Sequence, residues 1–122
     1  MARLNESKTV ETDGLVYGLN PAPEAFMVTI KALSAPATLR RGTVLAIGSD
    51  NKMIVLGAGE GTANCILCDD TEVGTSDVKA TAYRTGHFAA EKLTVAASYT
   101  LTAADKEALR DAGILLSNAA EM

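Results

Sequence analysis

The stretch from Thr43 to Gly57 constrains the fold more than any other part of the sequence. It consists of a β-branched apolar run at 43–47, the polar tetrapeptide SDNK at 49–52 and a second apolar run, MIVLG, at 53–57. Two apolar runs joined by a short polar segment are typical of a β-hairpin. We therefore expect a hairpin here and a fold in which strands dominate.

Further strands are predicted at residues 24–33, 62–68, 77–84 and 114–116. In the first of these, Phe26, Val28 and Ile30 fall on one face at a period of two residues, as in a half-buried strand. One helix is predicted at 102–113, with Thr102 as N-cap, Asp105 three residues later and Gly113 after the last turn. The sequence thus predicts a mainly β fold with one short helix.

The first 23 residues differ in character from the rest of the chain. They are polar and are broken by two glycines and two prolines, so they lack the periodic apolar pattern of a packed element. We expect an extended arm at 1–23 and one β-rich domain at 24–122. Such an arm becomes a strand when another protein offers a sheet edge. The short extended stretches of the arm are the predicted contacts with a partner: Lys8, Thr9, Val10, Glu11, Thr12, Leu15, Val16 and Tyr17.

Length and composition narrow the function further. A chain of 122 residues suits a single domain, and it carries a net charge of −4 with no cluster of basic residues. A phosphate backbone would be repelled by most of this surface, so we expect no nucleic-acid partner. No apolar stretch reaches 18 residues, so we expect no membrane span, and the first residues lack the apolar core of a signal peptide.

Cys65 and Cys68 form a CxxC motif, which raises the possibility of a metal or redox site. A zinc site needs about four sulfur or imidazole ligands, whereas this chain has two cysteines and one histidine, His87. In a strand, residues three apart point to opposite faces, so the two sulfurs would diverge. We expect ordinary buried or half-buried cysteines, no metal and no cofactor. A small metal-binding module using Cys65, Cys68 and His87 remains the less favoured alternative.

His87 lies between Gly86 and Phe88 in the stretch YRTGHF. No nucleophile motif accompanies the histidine, so we predict no catalytic residue and no enzyme. We expect Gly86 to supply a positive φ for a tight turn, Phe88 to return to the core and His87 to face solvent.

The stretch Tyr83 to Leu93, YRTGHFAAEKL, resembles the Y-[KR]-[ST]-G-x-F-x-x-E-x-L signature of phage head decoration proteins of the lambda D type. The segment GTANCIL at 61–67 and the helix–strand segment at 105–116 resemble the same family, and the resemblance covers roughly residues 25–116. The cysteines do not belong to the pattern.

This resemblance implies a β-clip-like fold and a structural role in the virion. Members of the family form homotrimers on the outer capsid surface at three-fold and quasi-three-fold positions. They bind the expanded head and stabilise it against the pressure of packaged DNA. The implied partners are the major capsid protein, to which the arm adds a strand, and other copies of the chain. A tail- or fibre-associated β-structural protein of the virion is the nearer alternative.

Overall fold

The computed structural model describes residues 15–18, 23–97 and 99–117. Strands dominate this part of the chain, and one α-helix lies near its C-terminal end. In chain order the elements are β1 (Val16–Gly18), β2 (Glu24–Ile30), β3 (Ala37–Leu39), β4 (Val44–Ile47), β5 (Met53–Val55), β6 (Thr62–Leu67), β7 (Thr71–Val73), β8 (Val78–Ala89), the 3-10 helix η1 (Ala90–Lys92), α1 (Ala103–Ala112) and β9 (Ile114–Ser117).

Five strands close into a barrel-like ring. The long strand β8 pairs antiparallel with β2, which pairs in parallel with β5 at Ile30 and Met53. From β5 the ring continues through β4 to β6, and β6 returns to β8 where Ile66 lies opposite Tyr83. Strands β1 and β9 flank the last residues of β8, β1 antiparallel and β9 parallel. A separate two-stranded sheet joins β3 to β7.

The interior of the ring holds the first of two apolar cores. It draws side chains from all five ring strands, which is why it fills the ring rather than one side of it. Its buried members are Val28, Ile30, Leu45, Met53, Cys65, Leu67, Val73, Ala80 and Ala82.

The second core lies on the opposite face of β4. Leu45 points into the ring, whereas its neighbours Val44 and Ala46 point outward, as the period of two in a strand requires. There they pack with Leu109 of α1 and with the segment that enters β1. The full set of buried residues in this outer core is Leu15, Val44, Ala46, Leu56, Ala63, Ile66, Phe88, Leu109 and Ile114.

Helix α1 begins and ends at cap residues that are recognisable in the sequence. The Thr102 Oγ1 atom accepts a hydrogen bond from the Asp105 backbone N–H at 3.1 Å, and Asp105 Oδ2 accepts one from the Thr102 N–H at 3.0 Å. These two bonds are a capping box, and Gly113 ends the helix with φ of 112°. The predicted helix, its N-cap and its C-terminal glycine are confirmed.

Most of the predicted strands are confirmed, together with the mainly β class and the hairpin, which is β4–β5. The sequence predicts no strand around Pro36 or at 69–76, yet Thr38 pairs with Glu72 in the β3–β7 sheet. Two strands of three residues each carry too little apolar pattern to be recognised alone.

Candidate functional site

The N-terminal segment is the predicted contact with a partner, and Leu15 within it packs in a core of the protein. Leu15 is only 2% exposed and is a member of the outer core. The Ala89 N–H donates a hydrogen bond of 2.8 Å to the Leu15 carbonyl oxygen. A Cβ atom added to Gly42 would lie 3.5 Å from Leu15 Cδ1, so the leucine side chain also lies against the Arg41–Gly42 turn.

Val16 extends this attachment. It lies opposite Phe88 in the antiparallel pair of β1 and β8, and Gly18 lies opposite His87. Leu15 and Val16 therefore attach to β8 of the same chain, and the Leu15 side chain is buried. The assignment of Leu15, Val16 and Tyr17 to a capsid-contacting strand stays a prediction, as does the boundary between arm and domain at residues 23 and 24.

The other predicted contact residues, Lys8 to Thr12, lie outside the described residues, as does the rest of the chain before Leu15. The part of the predicted arm that precedes the Leu15 attachment is 1–14.

The stretch around Arg84 shows why the segment YRTGHF does not form a turn. Adjacent residues Glu24 and Ala25 of β2 lie opposite Thr85 and Tyr83 of β8, so Arg84 is an extra residue in β8. Such a β-bulge shifts the alternation of side chains along a strand. Tyr83 and Phe88 consequently lie on the same face, with their ring centroids 5.1 Å apart, although they are five positions apart and a regular strand would place them on opposite faces.

Gly86 lies within β8, so the predicted tight turn is wrong. Its positive φ is confirmed at 149°. A Cβ atom added there would lie 2.6 Å from two ring carbons of Phe88, which means that the ring folds back over this glycine. Phe88 is fully buried, as predicted. The glycine is thus needed because the strand bends and because an aromatic ring occupies the space of its missing side chain.

The two cysteines are buried free thiols. Cys65 is in the ring interior with its Sγ 4.0 Å from Met53 Sδ, and Cys68 is 6% exposed at the end of β6. Burial raises the pKa of Cys65 to about 12 and that of Cys68 to about 11. Since the thiolate is the reactive and metal-binding form, both groups are held in their unreactive form at neutral pH.

His87 is half-buried within β8, between the flanking strands β1 and β9, and does not lie in a turn as predicted. Its Nε2 atom and the Ser117 Oγ form a hydrogen bond of 2.7 Å, which joins β8 to β9. The structure does not bring His87 to the cysteines. Within the described ranges, no group of three or more His, Cys, Asp or Glu residues is arranged to hold a metal ion.

Arg41 is a connecting residue that the sequence did not reveal. Its Nη1 donates to the Cys68 carbonyl oxygen and to the Tyr83 hydroxyl, each at 2.8 Å, and its guanidinium lies 5.5 Å from the centroid of the Tyr83 ring. It therefore joins the turn before β4 to β6 and β8. The only signal in the sequence is its place beside Gly42 in a turn, which does not identify a partner 42 residues away.

No described helix is long and apolar enough to cross a membrane. The arrangement found is a β-rich body to which the chain is attached at Leu15.

Comparison with known proteins gives this arrangement its context. No curated protein matches the chain significantly. The sequence model described as bacteriophage lambda head decoration protein D matches residues 4–115 of the 122-residue chain, and the match includes both the body and most of the segment before Leu15. The chain therefore belongs to the bacteriophage lambda head decoration protein D family.

Proposed function

We propose that this protein forms a homotrimer on the outer surface of a phage capsid, at three-fold and quasi-three-fold positions, and stabilises the expanded head against the pressure of packaged DNA. Family membership is the observation that carries the proposal, since the family consists of structural phage head decoration proteins and places the chain in the virion capsid.

The proposed attachment to the major capsid protein is an added strand from residues 1–14, in which Lys8 to Thr12 make the main-chain contacts. The attachment of Leu15 supports this assignment, because it fixes the point at which a bound arm would join the body. Fourteen residues in extended form reach at most about 46 Å, at about 3.3 Å each, so reach does not limit the contact. Main-chain hydrogen bonds to a sheet edge supply affinity with little demand on side chains.

Three arms on one trimer would bind as a linked set. Once the first arm is bound, the remaining arms face their sites at a high effective concentration, so modest single contacts give slow release. This is the physical reason to expect a trimer rather than a monomer to occupy a capsid.

Deletion of residues 2–12 tests the arm without removing the Leu15 anchor. We expect the shortened protein to fold and associate as the full chain does but to lose binding to expanded capsids, measured by co-sedimentation. A longer deletion that includes Leu15 would also remove a buried side chain of the outer core, so its effect on capsid binding would not report on the arm alone.

A single substitution separates backbone from side-chain contributions. Val10→Pro removes a main-chain donor from the proposed strand, whereas Val10→Ala shortens the side chain and keeps the donor. We expect the proline variant to bind capsids much more weakly than the alanine variant. Full capsid occupancy by the deletion variant, or equal binding by the two point variants, would contradict strand addition by the arm.

A further inference from the structure

The five-stranded ring is not closed equally well at every junction between neighbouring strands. β2 and β8 are aligned over seven residue pairs. β2 and β5 share one residue pair, Ile30 with Met53, beside which the Lys31 N–H donates to the Met53 carbonyl oxygen at 2.9 Å. We call this junction the β2–β5 seam. Because it has the fewest paired residues in the ring, it is where we expect local opening to begin.

Side chains of the ring interior lie directly behind the β2–β5 seam. Ile30 and Met53 are both buried, and the Cys65 Sγ atom lies 4.0 Å from Met53 Sδ. Separation of β2 from β5 would therefore bring apolar surface of the ring interior into contact with water.

Asp77 lies immediately before β8 and contacts both sides of this seam. Its Oδ1 atom accepts a hydrogen bond of 2.8 Å from the Ala32 N–H, just after β2 ends at Ile30. Its Oδ2 atom pairs with the Lys52 ammonium at 2.6 Å, just before β5 begins at Met53. One carboxylate thus joins the chain on the β2 side to the chain on the β5 side, through hydrogen bonds of the stronger, charge-assisted kind.

The other charged groups near Asp77 are Lys31 and Asp50. Asp50 pairs with the Lys31 ammonium at 3.3 Å and accepts from the Lys52 N–H at 3.1 Å. It therefore reaches the β2 side through the end of a long, exposed side chain, and such a surface ion pair contributes little. Asp77 differs because it holds a backbone N–H directly.

A second junction of the ring supports the same reading. β6 and β8 share two residue pairs, Ile66 with Tyr83 and Leu67 with Ala82. Arg41 bridges them, since it donates both to the Cys68 carbonyl oxygen and to the Tyr83 hydroxyl. The two junctions of the ring with the fewest paired residues are thus each bridged by one charged side chain.

We propose that Asp77 is a clasp that keeps the β2–β5 seam closed, and that its release lets β2 separate from β5 while the rest of the ring stays paired. The clasp belongs to the body alone, so it does not depend on the proposed capsid binding.

Protonation is one way to release the clasp. The bond with Lys52 and the hydrogen bond from Ala32 both favour the charged form, and they lower the pKa of Asp77 from its ordinary value of 3.8. The stabilisation is therefore present above pH 3.8 and is lost as the pH falls through the lowered value.

Amide hydrogen exchange followed by NMR tests the clasp without a label. The Lys31 N–H reports on the β2–β5 seam, because it donates across it to Met53. The Cys68 N–H is the internal reference, because it donates to the Thr81 carbonyl oxygen at 3.0 Å between the β6 and β8 segments. Opening at the seam accelerates exchange at Lys31 alone, whereas global unfolding accelerates both.

Three variants are compared with the unmodified chain at neutral pH. Asp77→Ala removes both contacts, whereas Asp77→Asn removes the charge and keeps an oxygen that can accept from Ala32. Glu107→Gln is the matched control, because it breaks an exposed ion pair of 3.0 Å with Arg110 within α1.

We expect exchange at Lys31 to accelerate about fivefold or more in Asp77→Ala and less in Asp77→Asn, the size of effect that loss of a charge-assisted hydrogen bond gives. Glu107→Gln should leave it unchanged, and the Cys68 N–H should keep its rate in all three variants. Unchanged exchange at Lys31 in Asp77→Ala, or an equal acceleration at Cys68, would overturn the clasp.

The same two amides test release by acid. With intrinsic exchange rates corrected for pH, the Lys31 N–H of the unmodified chain should lose protection relative to the Cys68 N–H below pH 3.8. Asp77→Asn should lack this change. An equal loss in both proteins would show that another group controls the seam and would overturn release through Asp77.

Discussion

Replacing Leu15 by alanine tests whether the segment before β1 is part of the protein's own core. The side chain is 2% exposed and packs in the outer core with Val44 and Phe88. Its carbonyl oxygen also receives the Ala89 N–H, and the substitution leaves that bond in place. The experiment therefore isolates the contribution of the buried side chain.

The expected cost follows from what is removed. Alanine lacks three carbon atoms of leucine, and at about 0.8 kcal/mol for each buried methylene the lost transfer free energy is about 2.4 kcal/mol. The cavity left by the missing atoms adds to this cost. Measured losses of stability on replacing a buried leucine by alanine run from about 2.7 to 5.0 kcal/mol. We expect Leu15→Ala to lower the free energy of unfolding by about 3 kcal/mol.

Leu115→Ala is the matched control, because Leu115 is 36% exposed at the edge strand β9. It removes the same three atoms from a site that is partly in water, so we expect it to cost less than about 1.5 kcal/mol. Both variants are compared with the unmodified chain by denaturant unfolding at one protein concentration, since subunit association adds to apparent stability. If Leu15→Ala costs no more than Leu115→Ala, the segment is not anchored and the reasoning from its burial is refuted.

Two more predictions follow from the close contacts and buried thiols. Gly86→Ala forces a Cβ atom against the Phe88 ring at a positive φ, so we expect the free energy of unfolding to fall by about 1–3 kcal/mol. Gly74→Ala is the control, because a Cβ atom added at Gly74 has no atom within 4 Å and should change the unfolding midpoint little. Equal effects of the two substitutions would contradict the close contact between Gly86 and the Phe88 ring. Because burial raises the pKa of Cys65 to about 12 and of Cys68 to about 11, from a reference of 9.0, the stability that their protonated forms provide is complete below pH 9.0 and is lost as the pH rises through those values. The unfolding midpoint should therefore fall more steeply above pH 9.0 in the native chain than in a double cysteine-to-alanine variant, and parallel curves would show that the thiols are not buried.

The elements that the sequence predicted well are those whose signals are local. Thr102, Asp105 and Gly113 specify the helix ends through residues at most a few positions apart, and the β4–β5 hairpin is defined by its own two apolar runs. In both cases the hydrogen-bonding partners are close in the chain, so the apolar pattern and the turn residues are enough to predict the element.

The sequence did not reveal contacts between distant residues. Leu15 was placed in an arm because its neighbours are polar, but its burial depends on Phe88 and Val44, which lie far along the chain. Gly86 was placed in a turn because glycine permits a positive φ, but whether that φ makes a turn or a bend depends on pairing with β1 and β9. The apolar triplet 15–17 within a polar region was the one sequence signal that pointed to the attachment.

The partner-binding role came from the resemblance in YRTGHFAAEKL rather than from chemistry of single residues. The structure shows that this stretch builds the bulge and the Tyr83–Phe88 contact, so its residues shape the body. A pattern of this kind identifies a family through its packing requirements.

A cryo-electron microscopy map of expanded phage heads incubated with the purified protein tests the central claim most directly. The account predicts trimers on the outer surface at three-fold and quasi-three-fold positions, of about 38 kDa from three chains of 12.7 kDa, with a strand of each arm joined to the major capsid protein. Bare three-fold positions at saturating protein, or bound protein whose arm makes no contact with the shell, would contradict it.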